Sequence, residues 1–151
     1  MADFEVRRVA GSASIEDAHA VRRAVFVEGQ GVPESTEMDG LDAEAWHVVA
    51  YDGDEPVGTA RLREPDPGVA KVERVAVRED CRGQGVGRLL MHELEDVARE
   101  AGMDEAVLHG QTAVEGFYES LGYETVSDVF YEADIPHVEM RKPLARDSWT
   151  C

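Results

Sequence analysis

Lysine and cysteine are almost missing: of 151 residues only Lys71 and Lys142 are lysine, and only Cys81 and Cys151 are cysteine. Neither cysteine stands in a Cys-x-x-Cys pair or a Cys/His ligand spacing, which argues against a disulfide framework or a zinc site; Cys81 reads as a structural loop residue. Basic side chains number 15 against 32 acidic ones, a formal net charge of -17. Nucleic acid is held by neutralising its phosphates, so a chain this poor in cations lacks the basic face that such binding needs. No apolar run approaches the ~20 residues that cross a bilayer, and Met1-Ala2-Asp3-Phe4-Glu5 has neither the basic start nor the apolar stretch of a secretion signal. A soluble cytoplasmic protein is expected, free of membrane. Repeats, low-complexity tracts and separating linkers are missing too, so residues 1–151 are expected to form a single domain.

The excess of carboxylates repels itself at low salt, and a Debye length of about 3 Å at about 1 M salt screens most of that repulsion. Such a composition resembles that of proteins from salt-loving microbes, and a halophilic protein with an acidic proteome is the expectation. The alternative is an acidic surface that serves solubility alone.

Phe4 to Arg8 reads as a short edge strand. Ser14, with Asp17 three residues on, makes a capping box for a helix in which Ile15, Ala18, Val21, Arg22 and Val25 form one largely apolar stripe. Glu28 to Glu44 is rich in Gly, Pro and acids without periodicity, so it reads as a long loop with a helical turn, the kind of segment that carries function. The alternating runs Trp46 to Tyr51 and Pro56 to Arg63 flank Asp52-Gly53-Asp54, a strong hairpin signal, and Pro65-Asp66-Pro67-Gly68 turns into a third strand, Val69 to Val77. From Gly85 to Ala101, residues Val86, Leu89, Leu90, Leu94, Val97, Ala98 and Ala101 recur at helical spacing, and Gly102 closes the helix. A strand, Glu105 to Gln111, and a short helix, Val114 to Leu121, follow. Tyr123 to Tyr131 and His137 to Lys142 are long enough to pair antiparallel. The order predicts an α/β fold with a mixed sheet of about six to seven strands, about four helices and one parallel crossover in the middle.

Arg82-Gly83-Gln84-Gly85-Val86-Gly87 lies between the strand ending at Val77 and the long helix, so its amides and the positive helix end point the same way. Glycine at 83, 85 and 87 removes the Cβ that would hold an anion off the backbone and permits the positive dihedrals of an amide nest. Arg82 and Arg88 add charge at the rim. The run lacks the Gly-Lys-Ser/Thr ending of a P-loop and misses the GxGxxG spacing, and it comes after four strands instead of opening the fold.

Arg82-x-x-Gly85-x-Gly87 resembles the pyrophosphate loop of the GNAT superfamily of N-acetyltransferases, and Phe117-Tyr118-Glu119-Ser120-Leu121-Gly122-Tyr123 is similar to that superfamily's helix motif after the fifth strand. More narrowly, Arg22-x-x-Val25-Phe26-Val27, Gln30-x-Val32-Pro33, Glu37-x-Asp39, Gln111 and Ile135-Pro136-His137 resemble an ElaA-like subgroup, from about Arg22 to Met140. Gly29 stands where the subgroup usually has an acidic residue, and Gly110 where it usually has alanine. The resemblance implies acetyl-CoA as cosubstrate, no metal, and a cofactor site of Val75, Ala76, Val77, Arg82, Gly83, Gln84, Gly85, Val86, Gly87, Arg88, Gln111, Phe117 and Tyr118. Val72 to Val77 would splay from Val107 to Gln111 and admit the pantetheine arm. Acceptor contacts are expected from Arg22, Phe26, Gln30, Glu37, Asp39 and His137, the acceptor being a small-molecule or peptide amine.

A lysine-like amine has a pKa of about 10.4 and must lose a proton before attack. Glu73, on the cofactor strand, is the first candidate to take it, with an ion pair to Arg74 or another strand neighbour as the structural alternative; Glu37, Asp39 and His137 follow on the resemblance. Tyr118 fits the acid that assists the leaving thiolate, and Phe117 fits packing. His19 and His92 read as solvent-facing, and His47 and His109 as structural groups within strands. The expected function is transfer of an acetyl group to a primary amine by direct attack in a ternary complex, in a monomer or homodimer. Competing readings are a non-catalytic acyl-CoA sensor on the same fold, and a protein-interaction domain that uses its acidic surface.

Overall fold

The computed structural model describes residues 4–9 and 15–144. Strands β1 (Phe4–Val9), β2 (Trp46–Asp52), β3 (Glu55–Asp66) and β4 (Val69–Val77) pair antiparallel in succession. Helix α3 (Val86–Glu100) then carries the chain to β5 (Glu105–Gln111), which runs parallel to β4. Helix α4 (Glu115–Ser120) leads to β6 (Glu124–Thr125), β7 (Phe130–Glu132) and β8 (Ile135–Pro143). The result is an 8-stranded mixed sheet of order β1-β2-β3-β4-β5-β8-β6, with β7 also on β8.

The expected last pair of strands is corrected in one respect: Tyr123 to Tyr131 is two strands. Glu124 opposes Arg141 and Thr125 opposes Met140, but Phe130 opposes His137, so the pairing has slipped by two positions between them. Val126 to Val129 take up that slack, with Val126 and Val129 exposed, and Ser127 Oγ accepts the Glu139 amide at 2.8 Å where a strand partner would otherwise sit.

Helix α3 buries Val86, Leu90, Met91, Leu94, Val97 and Ala98 against one face of the sheet. At roughly 1.5–3 kcal/mol per large apolar side chain removed from water, this stripe anchors the helix and hence the loop that precedes it. Leu89, expected on the stripe, points outward instead, because Leu90 and Met91 already fill the inward positions. Helix α1 (Ile15–Arg22) covers the other face through Ala18, packed on Val49 and Tyr51, and continues as a π-helical stretch, Arg23–Gly29, whose Val25 meets Ala76. The predicted partner of the capping box, Ser14, lies outside the described residues; Asp17 accepts the Tyr51 hydroxyl at 2.6 Å. The long loop holds two short helical turns, α2 (Glu34–Glu37) and a 3-10 turn at Asp42–Glu44.

Candidate functional site

Strands β4 and β5 pair only from Val69 opposite Glu105 to Val72 opposite Leu108. Beyond that point they part. The cause lies in β4: Thr59 and Arg61 of β3 oppose Ala76 and Glu73, so β4 carries one residue more than its partner and bulges, with Arg74 at φ +55. Nothing in the run Val72-Glu73-Arg74-Val75 announces this, since a left-handed residue is usually glycine.

The gap opens into a cleft of about 1130 Å³ walled by β4, β5, the glycine loop, α4, the segment after α1 and the β7–β8 turn. At one end, Gly83 and Gly85 adopt φ +77 and +88, and Gly85 caps α3 without any side-chain bond. The chain turns at Arg82 and Gly83, and the next main-chain amide with a cap partner is that of Leu89, bonded to Gly85 O at 3.1 Å; among the described residues the amides of 85–88 have no partner, and they stand at a positive helix end. Gly87 serves a different purpose from the one its pattern suggested: a Cβ there would stand 3.0 Å from Phe117 Cζ, so its absence lets α4 close on the loop. Arg82 and Arg88 line the cleft, their guanidiniums resting on Val77 O at 3.0 Å and Ser120 Oγ at 3.2 Å.

Tyr118 lies at the fork, buried between Phe117 and Tyr123. Among the described residues nothing bonds its hydroxyl, and burial pushes the phenol up from its ordinary value, so it stays protonated at neutral pH. Gly110 leaves room for the ring, since a Cβ at that position would stand 3.1 Å from Tyr118 Cδ2.

Opposite the glycine loop, four carboxylates meet four guanidiniums. Arg61, 1% exposed, bonds Asp39, Asp42 and Glu73 at 2.8 to 3.0 Å; Arg22, equally buried, bonds Glu37 and Asp42; Arg74 bonds Glu37 and Asp39; Arg63 bonds Glu73. Bonds from Arg61 hold the Asp39 carboxyl well below the usual range. Burial works against ionised Asp42 and Glu73, yet Arg22 and His19 outweigh it at Asp42, and Arg63 and Arg61 at Glu73, so both are lowered as well.

Of the residues singled out from the sequence, the cleft gathers Phe26, Gln30, Glu37, Asp39, Glu73, Val75, Ala76, Val77, Arg82, Gly83, Gly85, Val86, Gly87, Arg88, Gln111, Phe117, Tyr118 and His137. Two stand off it. Arg22 is sealed beneath Glu37 and Asp42, so it positions the loop and touches no ligand, and the Gln84 amide turns back onto Asp80 O at 3.2 Å. Glu73 has both oxygens on guanidiniums, the ion-pair role, with Arg61 and Arg63 as partners in place of Arg74; a carboxylate held ionised this firmly takes a proton poorly. Gln30 and Gln111 exchange amide bonds of 3.2 and 3.0 Å.

Sequence reasoning passed over Arg61 and Asp42, whose only signal was a buried-strand position and one more acid in an acidic loop. His19, expected to face solvent, is half-buried and bonds Asp42 at 2.8 Å. His47 is structural as expected, on Asp42 O at 3.0 Å, but His109 lines the cleft and bonds Glu132 at 2.7 Å. Among the described residues no group of ligating side chains is disposed to hold a metal, and no helix is long and apolar enough to cross a membrane.

A pH test follows from the lowered Asp42. A folded-state pKa below the unfolded one, ordinarily about 3.9, contributes stability that is complete above the unfolded value and is lost as pH falls toward the folded value. The stability gap between wild type and Asp42→Asn, read from urea midpoints, is therefore expected to be constant above about pH 5 and to shrink below about pH 4. A gap that widens on acidification contradicts this.

Residues 10–144 match the family model described as acetyltransferase (GNAT) domain. Escherichia coli ElaA is 33% identical over 128 residues, covering 82% of this chain and 84% of ElaA, and its crystal structure superposes with a TM-score of 0.80. An acyl-CoA N-acyltransferase from Pseudomonas aeruginosa superposes equally well, at a TM-score of 0.80 and 28% identity, covering 94% of this chain and 99% of that one. An aminoglycoside 6'-N-acetyltransferase solved with coenzyme A shares the fold, with a TM-score of 0.77 at 18% identity over 94% of this chain and 98% of that one.

Proposed function

The chain belongs to the GNAT acetyltransferase family and is an acyltransferase, and from that premise we propose that it moves an acetyl group from acetyl-CoA to a primary amine by direct attack in a ternary complex. The observation that carries this reading is the alignment of three features along one cleft: the amides of 85–88, strand edges that part beyond Val72 and Leu108, and the Tyr118 hydroxyl at the fork, none of them bonded across the cleft among the described residues. The amides supply donors for a diphosphate in a protein whose net charge of -17 would otherwise repel it. The exposed edge at Val75, Ala76 and Val77 supplies main-chain partners for the amides of the pantetheine arm, which would deliver the thioester to Tyr118.

Isothermal titration with acetyl-CoA, followed by thiol release with a panel of amines, tests the proposal. Binding together with amine-dependent release supports the transferase; binding with no release by any amine favours the acyl-CoA sensor, and no binding by the folded chain removes both. Within the same assay, Gly85→Val forces a β-branched residue to φ +88 and disrupts the amide nest. Losing a hydrogen bond to a charged group costs about 1.5–3 kcal/mol, so acetyl-CoA affinity is expected to fall about 10- to 100-fold with the fold retained by circular dichroism. Unchanged affinity would place the diphosphate elsewhere.

A further inference from the structure

Resting on that reading, we infer that the acceptor's ammonium group seats between His137 and Glu132, and that His137 Nε2 takes its proton before attack.

The β7–β8 turn fixes this corner. Ala133 and Asp134 both adopt positive φ, +50 and +63, the signature of a tight two-residue hairpin, and Glu132 is thereby set opposite Ile135. His137 Nδ1 lies 2.7 Å from Ile135 O. A carbonyl only accepts, so Nδ1 carries the hydrogen, and the neutral ring presents a lone pair at Nε2. That nitrogen faces Glu132 Oε2 at 4.0 Å, too far for a hydrogen bond. A lone pair and a carboxylate oxygen thus confront each other at the wall of the cleft, with no donor shared between them among the described residues, which is a seat for a group with N–H bonds and positive charge.

The neighbours are arranged to keep it so. Phe130 stacks on His137 at 6.2 Å and 21°, fixing the ring plane. The other Glu132 oxygen is taken by His109 Nδ1 at 2.7 Å, and His109 Nε2 stands 3.4 Å from Glu139. Gln111, opposite His137 on β5, is engaged with Gln30. The charged and titratable groups around His137 are therefore Glu132 on β7, His109 on β5 and Glu139 on β8. His137 is buried whereas the Glu132 side chain is 47% exposed, so the pair connects the cleft to solvent.

In the reaction so drawn, the ammonium N–H bond breaks and its proton passes to His137 Nε2, from which it leaves by way of Glu132. The freed amine nitrogen bonds the thioester carbonyl carbon, and the carbon–sulfur bond breaks with its electron pair on sulfur. The second nitrogen proton is lost as the amide forms, and the departing sulfur gains one. Amine and acetyl-CoA become acetamide and CoA thiol, atom for atom.

The test is CoA release from acetyl-CoA with spermidine, 2-phenylethylamine and lysine methyl ester, measured from pH 6 to pH 10 for wild type, His137→Gln and Glu132→Gln. For the fastest amine, His137→Gln is expected to lower kcat by roughly 10²-fold or more near neutrality, with the deficit narrowing at high pH where the free amine is already abundant, and with the KM for acetyl-CoA unchanged within about twofold. Glu132→Gln, which removes the charge from the seat, is expected to raise the amine KM about 10-fold. His137→Gln with wild-type kcat and pH profile overturns the inference and leaves the transferase intact. Should that variant not fold, an unchanged amine KM in Glu132→Gln overturns it alone; no release by wild type with any amine overturns both readings together.

Discussion

Replacement of Tyr118 by phenylalanine is expected to lower kcat by roughly 10²- to 10⁴-fold while the dissociation constant of acetyl-CoA stays within a few-fold of wild type. A departing CoA thiolate is the conjugate base of an alkyl thiol, which in cysteine has a pKa of about 8.5, and a phenol of ordinary pKa about 10 can stabilise it by donating a hydrogen bond. Tyr118 is buried, its phenol is raised further, and its hydroxyl has no partner among the described residues, so it is a protonated donor held in readiness. Phenylalanine keeps the ring contacts with Phe117 and Tyr123 and removes only that donor. In the proposed reaction this bond would form in the transition state and not in the complex with cosubstrate, so kcat should fall and binding should not. Turnover within about threefold of wild type would take Tyr118 out of the chemistry and leave it a packing residue.

How far the sequence leads here is set by how local each feature is. The glycine loop and α3 were legible because their information is contiguous: a 3.6-residue stripe, three glycines, and a strand just before. The hairpins were legible for the same reason, Asp52-Gly53-Asp54 forming its turn as expected. The bulge at Arg74 was not, because the strain of φ +55 is stabilised by partners brought from residues 36 to 39, through Thr36 O, Glu37 and Asp39. The break between β6 and β7 was hidden likewise, since it arises from a register slip against β8 that alternation within 123–131 cannot show. His109 illustrates the general difficulty. Its place within an alternating strand is equally compatible with a core group and with a cleft group, and only the arrival of Glu132 from another strand separates them.

The adjacent arginines 22 and 23 carry the same lesson into energetics, and their contrast is the second large effect expected. Arg23 reaches an exposed partner, Glu34, with both side chains more than half exposed, so Arg23→Ala is expected to change stability by less than about 1 kcal/mol. Arg22, 1% exposed, holds Glu37 at 3.0 Å and Asp42 at 2.8 Å, and Glu37 is itself buried. Arg22→Ala leaves the buried Glu37 with Arg74 alone and Asp42 with Arg61 and His19, and empties the space of a buried side chain; loss of one partner from a buried ion pair costs about 3–5 kcal/mol. For a chain of this size that corresponds to a fall in Tm of about 6–20 °C, against less than about 4 °C for Arg23→Ala. Because Glu37 in turn grips Arg74 at 2.7 Å, the same change loosens the bulge that parts β4 from β5. Surviving Arg22→Ala protein is therefore expected to show a raised KM for acetyl-CoA even well below its melting temperature. Equal melting temperatures for the two alanine variants would mean that the carboxylate cluster is hydrated and contributes nothing to the shape of the cleft.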